Sequence, residues 1–176
     1  MKELVRKVIA EAELSNSSIH GVGHWRMVER NAHYLCRFND ADLEVVCLFA
    51  LFHDCKREND HRDLEHGPRA ERYLRTIREW VDLSDERFEN LCLACATHTL
   101  GVKAKNLTVA TCWDSDRLEI GRVGFVPDEK FMSTEEAKRI AREDDFEVLE
   151  NFEYSGIIPK ELSSVPQSIF GEVRIG

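Results

Sequence analysis

Apolar residues recur along the chain at the three-to-four spacing of helix faces, and almost nowhere in the two-residue alternation of strands. Between Lys2 and Leu14, Leu4, Val5, Val8, Ile9 and Ala12 share one face, and Ser15-Asn16-Ser17-Ser18 ends the segment. A glycine-broken turn, His20-Gly21-Val22-Gly23-His24, leads into a second helix from about His24 to Phe38, with Trp25, Val28, Ala32 and Leu35 facing inward. Asn39-Asp40 caps a third, in which Val45 to Phe52 is apolar on every side. That run is too short to span a bilayer and suits a helix buried in a core. Polar Lys56 to Glu65 predicts an exposed loop bordering whatever the third helix delivers. Helices follow at about His66 to Val81 and Asp85 to His98, the second opened by a capping-type Ser84-Asp85-Glu86, then a turn over Leu100 to Lys105. Leu107 to Ile120 is apolar again, with Asp114 and Asp116 set in it. Pro127-Asp128 breaks the chain, Ser133-Thr134-Glu135-Glu136 starts a last helix to about Asn151, and Gly156, Pro159 and Pro166 mark an irregular tail.

The pattern predicts an all-α, single-domain helical bundle over 1–176, with its core at about 18–124 and a C-terminal helix and tail beyond. No repeat, low-complexity segment or linker divides it. The 176 residues are enough to bury a core without disulfide staples. The Cys92-Leu93-Ala94-Cys95 spacing of a metal knuckle lies inside an apolar helix and is read as core, like most of the six cysteines. Cys55 differs because it adjoins Asp54.

Where the third helix ends, polarity changes abruptly. His53 and Asp54 come directly off the buried run, and Arg57, Asp60, His61, Asp63 and His66 follow. A histidine and a carboxylate carried into an interior must be paired, hydrogen-bonded or metal-bound, because burying them unsatisfied costs about 2–7 kcal/mol. His24, His66 and His98 stand at other helix boundaries and Asp114 inside an apolar helix, and bundles place their metal sites where such residues converge. Imidazole with carboxylate suits Mn, Fe, Co, Ni or Zn. Asp114 and Asp116 lie two residues apart and point to nearly opposite sides of a helix, so one of them faces the metal. Asp114 is preferred, with Asp116 paired to Arg117 or a neighbouring helix end. His20, His33 and His61 are read as surface or loop histidines, His20 being the best placed for a substrate role. Glu143-Asp144-Asp145 is read as a solvated face.

His24, His53-Asp54 and Asp114 in that order resemble the H…HD…D pattern of the HD superfamily of metal-dependent phosphohydrolases, over about Ser18 to Gly124. His53-Asp54-Cys55-Lys56-Arg57 is similar to that family's HDxxR/K extension, and Asp114-Ser115-Asp116-Arg117-Leu118 to its DADRL segment. Glu65-His66-Gly67 and Ala96-Thr97-His98 resemble the additional histidines of members holding two metals. Met27 departs from the pattern, standing where many members have an arginine, with Arg26 and Arg30 nearby as substitutes.

The resemblance implies a first divalent ion on His24, His53, Asp54 and Asp114, and a second on Asp54, His66 and His98. The ion is Mn, Fe, Ni, Co, Zn or Mg, at one or two per chain. Water bound there approaches neutrality in pKa and gives a hydroxide nucleophile. Asp54 and Arg57 are the candidate catalytic residues, Arg57 and secondarily Lys56 neutralising a phosphoryl group. The implied activity is hydrolysis of a small phosphate ester or a nucleotide. The same ligand set serves di-iron oxygenases in a few relatives, and a non-catalytic, metal-stabilised nucleotide-binding regulatory module is a third reading.

A net charge of −9 argues against a protein that binds long nucleic acid by neutralising phosphates. Met1 to Lys7 is charged and lacks the apolar stretch of a signal peptide, so the expectation is a cytoplasmic protein without membrane attachment. The partner expected is a small phosphorylated substrate. The amphipathic terminal helices can pack in a homo-oligomer as readily as in a monomer.

Overall fold

The run Val45 to Phe52 is buried along its whole length, and four other helices pack around it. In this computed structural model, which describes residues 1–160, it forms helix α3 (Leu43–Phe52). Packed on α3 are α1 (Lys2–Ala10), α2 (Val22–Leu35), α5 (Asp85–Thr97) and α6 (Leu107–Arg117), while α4 (His66–Thr76) packs on α5. With neighbours on all sides, α3 carries no polar residue from Val45 onward, only its first turn being exposed at Leu43 and Glu44, and Phe49 and Phe52 are fully enclosed. Truncating either to alanine in such a core costs about 3–5 kcal/mol. The described residues hold eight α-helices and no strand. None of these helices is long and apolar enough to cross a membrane.

A smaller core lies beside the main one. Tyr34 and Leu35 from the end of α2 meet Leu118, Met132, and Ala137 and Ile140 of α7 (Glu135–Glu143), with Leu149 of α8 (Glu147–Glu150). The expected single helix to Asn151 is therefore two. Asp144 takes a left-handed conformation at φ 56° and stops α7, so Phe146 and Leu149 can turn back onto the cluster. The acidic Glu143-Asp144-Asp145 stretch is this break, with Arg139 pairing to both Glu143 and Asp145.

Other boundaries move for identifiable reasons. The cap of α3 is Asp42, whose carboxylate accepts from the Val45 amide, whereas Asn39 closes a turn by accepting from Ala41. Ser84 precedes α5 without a side-chain cap bond. Helix α1 ends at Ala10, short of Leu14, and α4 ends at Thr76, followed by a short 3-10 turn at Arg78–Trp80. The loop after α3 is exposed from Glu58 to Arg62 as its polarity predicts, with Asp63 alone in it buried, against Arg69 of α4. Pro166 lies outside the described residues.

After α8 the chain returns across α2. Tyr154 donates its hydroxyl to the Arg26 carbonyl at 2.7 Å, and the Ile157 and Ile158 amides both donate to the buried Glu29 carboxylate. Gly156 leaves room for that approach, since a Cβ there would collide with the Glu29 carboxyl group. Burial raises the Glu29 pKa from 4.5 to about 7, with the two amides pulling it back down. The folded state thus holds this proton more tightly than the unfolded one, and stability from this group falls as pH rises from about 4.5 to 7. Glu29→Gln is expected to remove that slope, shifting its stability relative to wild type by up to about 3 kcal/mol across the window. Urea unfolding at both ends of the window checks this, and parallel profiles for the two proteins would contradict it.

Candidate metal centre

Each histidine of the cluster sits at a helix end, where unpaired backbone groups are available to orient it. His53 follows the last residue of α3 and its Nδ1 donates 3.1 Å to the Ala50 carbonyl. His98 follows α5 in the same way, with Nδ1 donating 2.8 Å to the Cys95 carbonyl. His66 opens α4 and uses Nδ1 on the Asp63 carbonyl. A backbone carbonyl only accepts, so all three rings carry a proton on Nδ1 and turn Nε2 inward, where the neutral ring offers a lone pair. His24 lies in the first turn of α2, which begins at Val22, and is buried against them.

Asp54 is the centre of the group. Its Oδ2 lies 3.6 Å from His53 Nε2 and 3.8 Å from His24 Nε2, and its Oδ1 lies 3.1 Å from His66 Nε2 and 3.9 Å from His98 Nε2. One carboxylate therefore straddles two histidine pairs. Each of those pairs forms, with Asp54, a buried group whose ligand atoms are close enough to hold one ion. Arg57 Nε donates to Asp54 Oδ1 at 3.0 Å, and His20 Nδ1 is 3.1 Å from Oδ2. Burial opposes ionisation of Asp54, but hydrogen-bond donors, His20 Nδ1 among them, outweigh it and hold the carboxyl well below the usual range.

The donor set fits a divalent ion. His66 and His98 Nε2 face each other at 2.7 Å, and as neutral rings protonated on Nδ1 they oppose two lone pairs there, which repel unless a cation lies between or beside them. His24 and His53 Nε2 are 3.1 Å apart. The His24 Nδ1 and the buried Oδ1 of Asp116 have no hydrogen-bond partner. Burial lowers the pKa of His24 to about 4 and of His98 to about 3, so both rings stay neutral, as metal ligands must be. His53 is shifted down by burial as well.

The structure brings together His24, His53, Asp54, His66, His98 and Arg57, but not Asp114. The Asp114 carboxylate points away from the histidines and accepts from the Ser133 and Thr134 amides at 3.0 and 2.7 Å, anchoring the entry to α7. It is Asp116 that reaches the cluster, 3.1 Å from His24 Nε2 and 3.8 Å from His53 Nε2. Helix phase could not choose between them, because α6 is buried on nearly all sides, from Val109 to Ser115. Lys56 also turns away, donating to the Glu11 carbonyl and lying 3.9 Å over the Tyr73 ring. His20, expected on the surface, is buried beside Asp54, whereas His61 is exposed.

A residue not anticipated is Arg122, whose Nη2 lies 3.5 Å from Asp116 Oδ1 and whose Nε donates to the Ile19 carbonyl. It stands between Gly121 and Gly124, where no periodicity assigns a side chain a direction. Arg57, Arg122, His20 and Thr99 line a cavity of about 230 Å³ over the cluster. Cys92 and Cys95 are buried core thiols, and burial pushes the Cys55 thiol up to about 12 without placing it in that cavity. Glu29, His33 and Cys47 also lie close together, but the Glu29 oxygens are already taken by the Ile157 and Ile158 amides.

A protein from an uncultured Thermotogales bacterium, described as a predicted HD superfamily hydrolase, has a crystal structure that superposes with a TM-score of 0.63. The match covers 85% of each chain at 22% sequence identity. The chain thus has the HD-domain fold. No family model matches the sequence, and no curated protein matches it.

The placement of the two aspartates makes a paired test. Asp116→Ala should lose bound metal, whereas Asp114→Ala should keep it and lose about 1–3 kcal/mol of stability from the two stranded amides. Elemental analysis and urea unfolding of both variants decide it, and metal loss in Asp114→Ala alone would return that residue to the site.

Proposed function

We propose that the protein is a metal-dependent phosphohydrolase acting on a small phosphate ester or a nucleotide. The observation that carries this reading is the Asp54 carboxylate shared between two buried histidine pairs. His24, His53, Asp54 and Asp116 would hold one ion, and Asp54, His66 and His98 a second. Bound there, a divalent ion supplies an acidified water as nucleophile near neutral pH and a Lewis acid for phosphoryl oxygens. No serine or cysteine nucleophile is then required, in keeping with a cluster that contains neither.

The chain's own residues do the rest. The helix-end carbonyls of Ala50 and Cys95 fix the tautomers of His53 and His98, so their Nε2 atoms need no proton rearrangement to act as ligands. Arg57 holds the shared carboxylate by Nε and spends Nη1 on the Asn59 and His61 carbonyls. That leaves Arg122, at the rim of the cavity beside Asp116, as the cation best placed to face phosphoryl oxygens as charge redistributes. His20 keeps the outer face of Asp54 hydrogen-bonded. The description of the Thermotogales protein as a hydrolase agrees with this reading.

The experiment is elemental analysis of the purified protein followed by a phosphatase screen of the same sample with Mn, Ni, Co, Mg and Zn. One or two ions per chain and phosphate release that a chelator stops are expected. His53→Ala and Asp54→Ala should abolish both while most helical content remains. Arg122→Ala should keep the metal and reduce kcat by about 10²–10³, the usual cost of losing one preorganised charge partner. Metal and turnover retained in Asp54→Ala would sink the assignment.

A further inference from the structure

Beside the metal centre lies a second cavity, of about 330 Å³, between the turn after α5 and the segment leading to α7. Leu100, Val102, Phe125, Val126 and Phe131 line it, and all are exposed, Val126 to 80% and Leu100 to 71%. Apolar side chains gathered in a concavity mark a binding site more often than scattered ones do. The two cavities share Thr99, Arg117 and Ile120 as walls. Thr99 Oγ1 is 3.3 Å from His66 Nε2 and 3.4 Å from His98 Nε2, so a group held over the histidines borders directly on the apolar space.

The charged side chains lining this second cavity already have partners. Arg117 donates through Nη1 to the Val102 and Phe131 carbonyls at 2.9 and 2.7 Å, and through Nη2 to that of Gly101. Its guanidinium thus ties the two sides of the cavity together. Asp128 accepts from the Lys130 amide at 2.9 Å and pairs with the Lys130 ammonium at 2.6 Å. What the space offers a ligand is apolar surface, next to a centre suited to a phosphate.

We propose that this cavity holds an alkyl or aryl substituent of the substrate, so that the protein selects phosphate esters carrying an apolar group. The selection rests on the phosphohydrolase reading and deepens it, since phosphate and substituent are read by adjoining sites. Contact with Leu100, Val102 and Val126 favours longer substituents.

The test uses ethyl-, butyl- and hexylphosphonate, which cannot be hydrolysed, binding to the full-length protein loaded with Mn²⁺ and followed by calorimetry. Affinity should rise about three- to four-fold per methylene, the increment expected for burying a CH₂ group. Val126→Asp should collapse the hexyl-to-ethyl ratio while circular dichroism and metal content stay as in wild type. The wild-type slope stands as a readout even if that variant does not fold. Equal affinity across the three probes would overturn the proposal and leave the phosphohydrolase reading intact. A flat slope together with a dimer that Val126→Asp splits, seen by sedimentation, would assign the face to a second copy of the chain instead. Failure of every phosphonate to bind would remove the phosphate site, and the proposal with it.

Discussion

The Asp54 carboxylate is the constraint on which the rest of the structure depends. It is buried, it lies between two pairs of imidazoles, and each of its oxygens serves a different pair. A carboxylate in such a place is tolerable only if positive charge or donors surround it. Arg57 and His20 supply part of that, from the loop after α3 and the turn before α2. As neutral rings protonated on Nδ1, His66 and His98 turn lone pairs inward and leave the remainder to a cation.

The helices follow from holding that point. An apolar α3 is needed to carry His53 and Asp54 into the interior, and its burial by α1, α2, α5 and α6 offsets the cost of enclosing them. Helix ends meet at the cluster because ends are where the backbone still has carbonyls free to orient a ring. Gly67 permits one of these meetings. A Cβ there would lie 2.5 Å from the Cys95 carbonyl oxygen, so only glycine lets the start of α4 reach the end of α5 and bring His66 to His98.

The second half of α6 serves both the site and the smaller core. Asp116 turns to the histidines while Asp114, two residues earlier, fixes the Ser133 and Thr134 amides and thereby the start of α7. Arg117, next along, ties the turn after α5 to Phe131 and forms the wall between the metal centre and the apolar cavity. Three functions within four residues of one helix end link what happens at the cluster to the shape of the space beside it.

Helix content, the buried α3 and the convergence of His24, His53, Asp54, His66 and His98 were legible in the sequence. A run such as Val45 to Phe52 has only one stable place in water, and histidines at its end must follow it inward. The direction of Asp114 and Asp116 was not legible, because a helix buried on nearly all sides carries no continuous polar face to set its phase. Nor was the role of Arg122 or the inward turn of Lys56 onto Tyr73, since side chains in loops take direction from neighbours distant in sequence. The break at Asp144 depended likewise on where Phe146 and Leu149 could find apolar partners. Local pattern and burial determined which residues enter the interior, and tertiary contact alone decided which way the polar ones face once there.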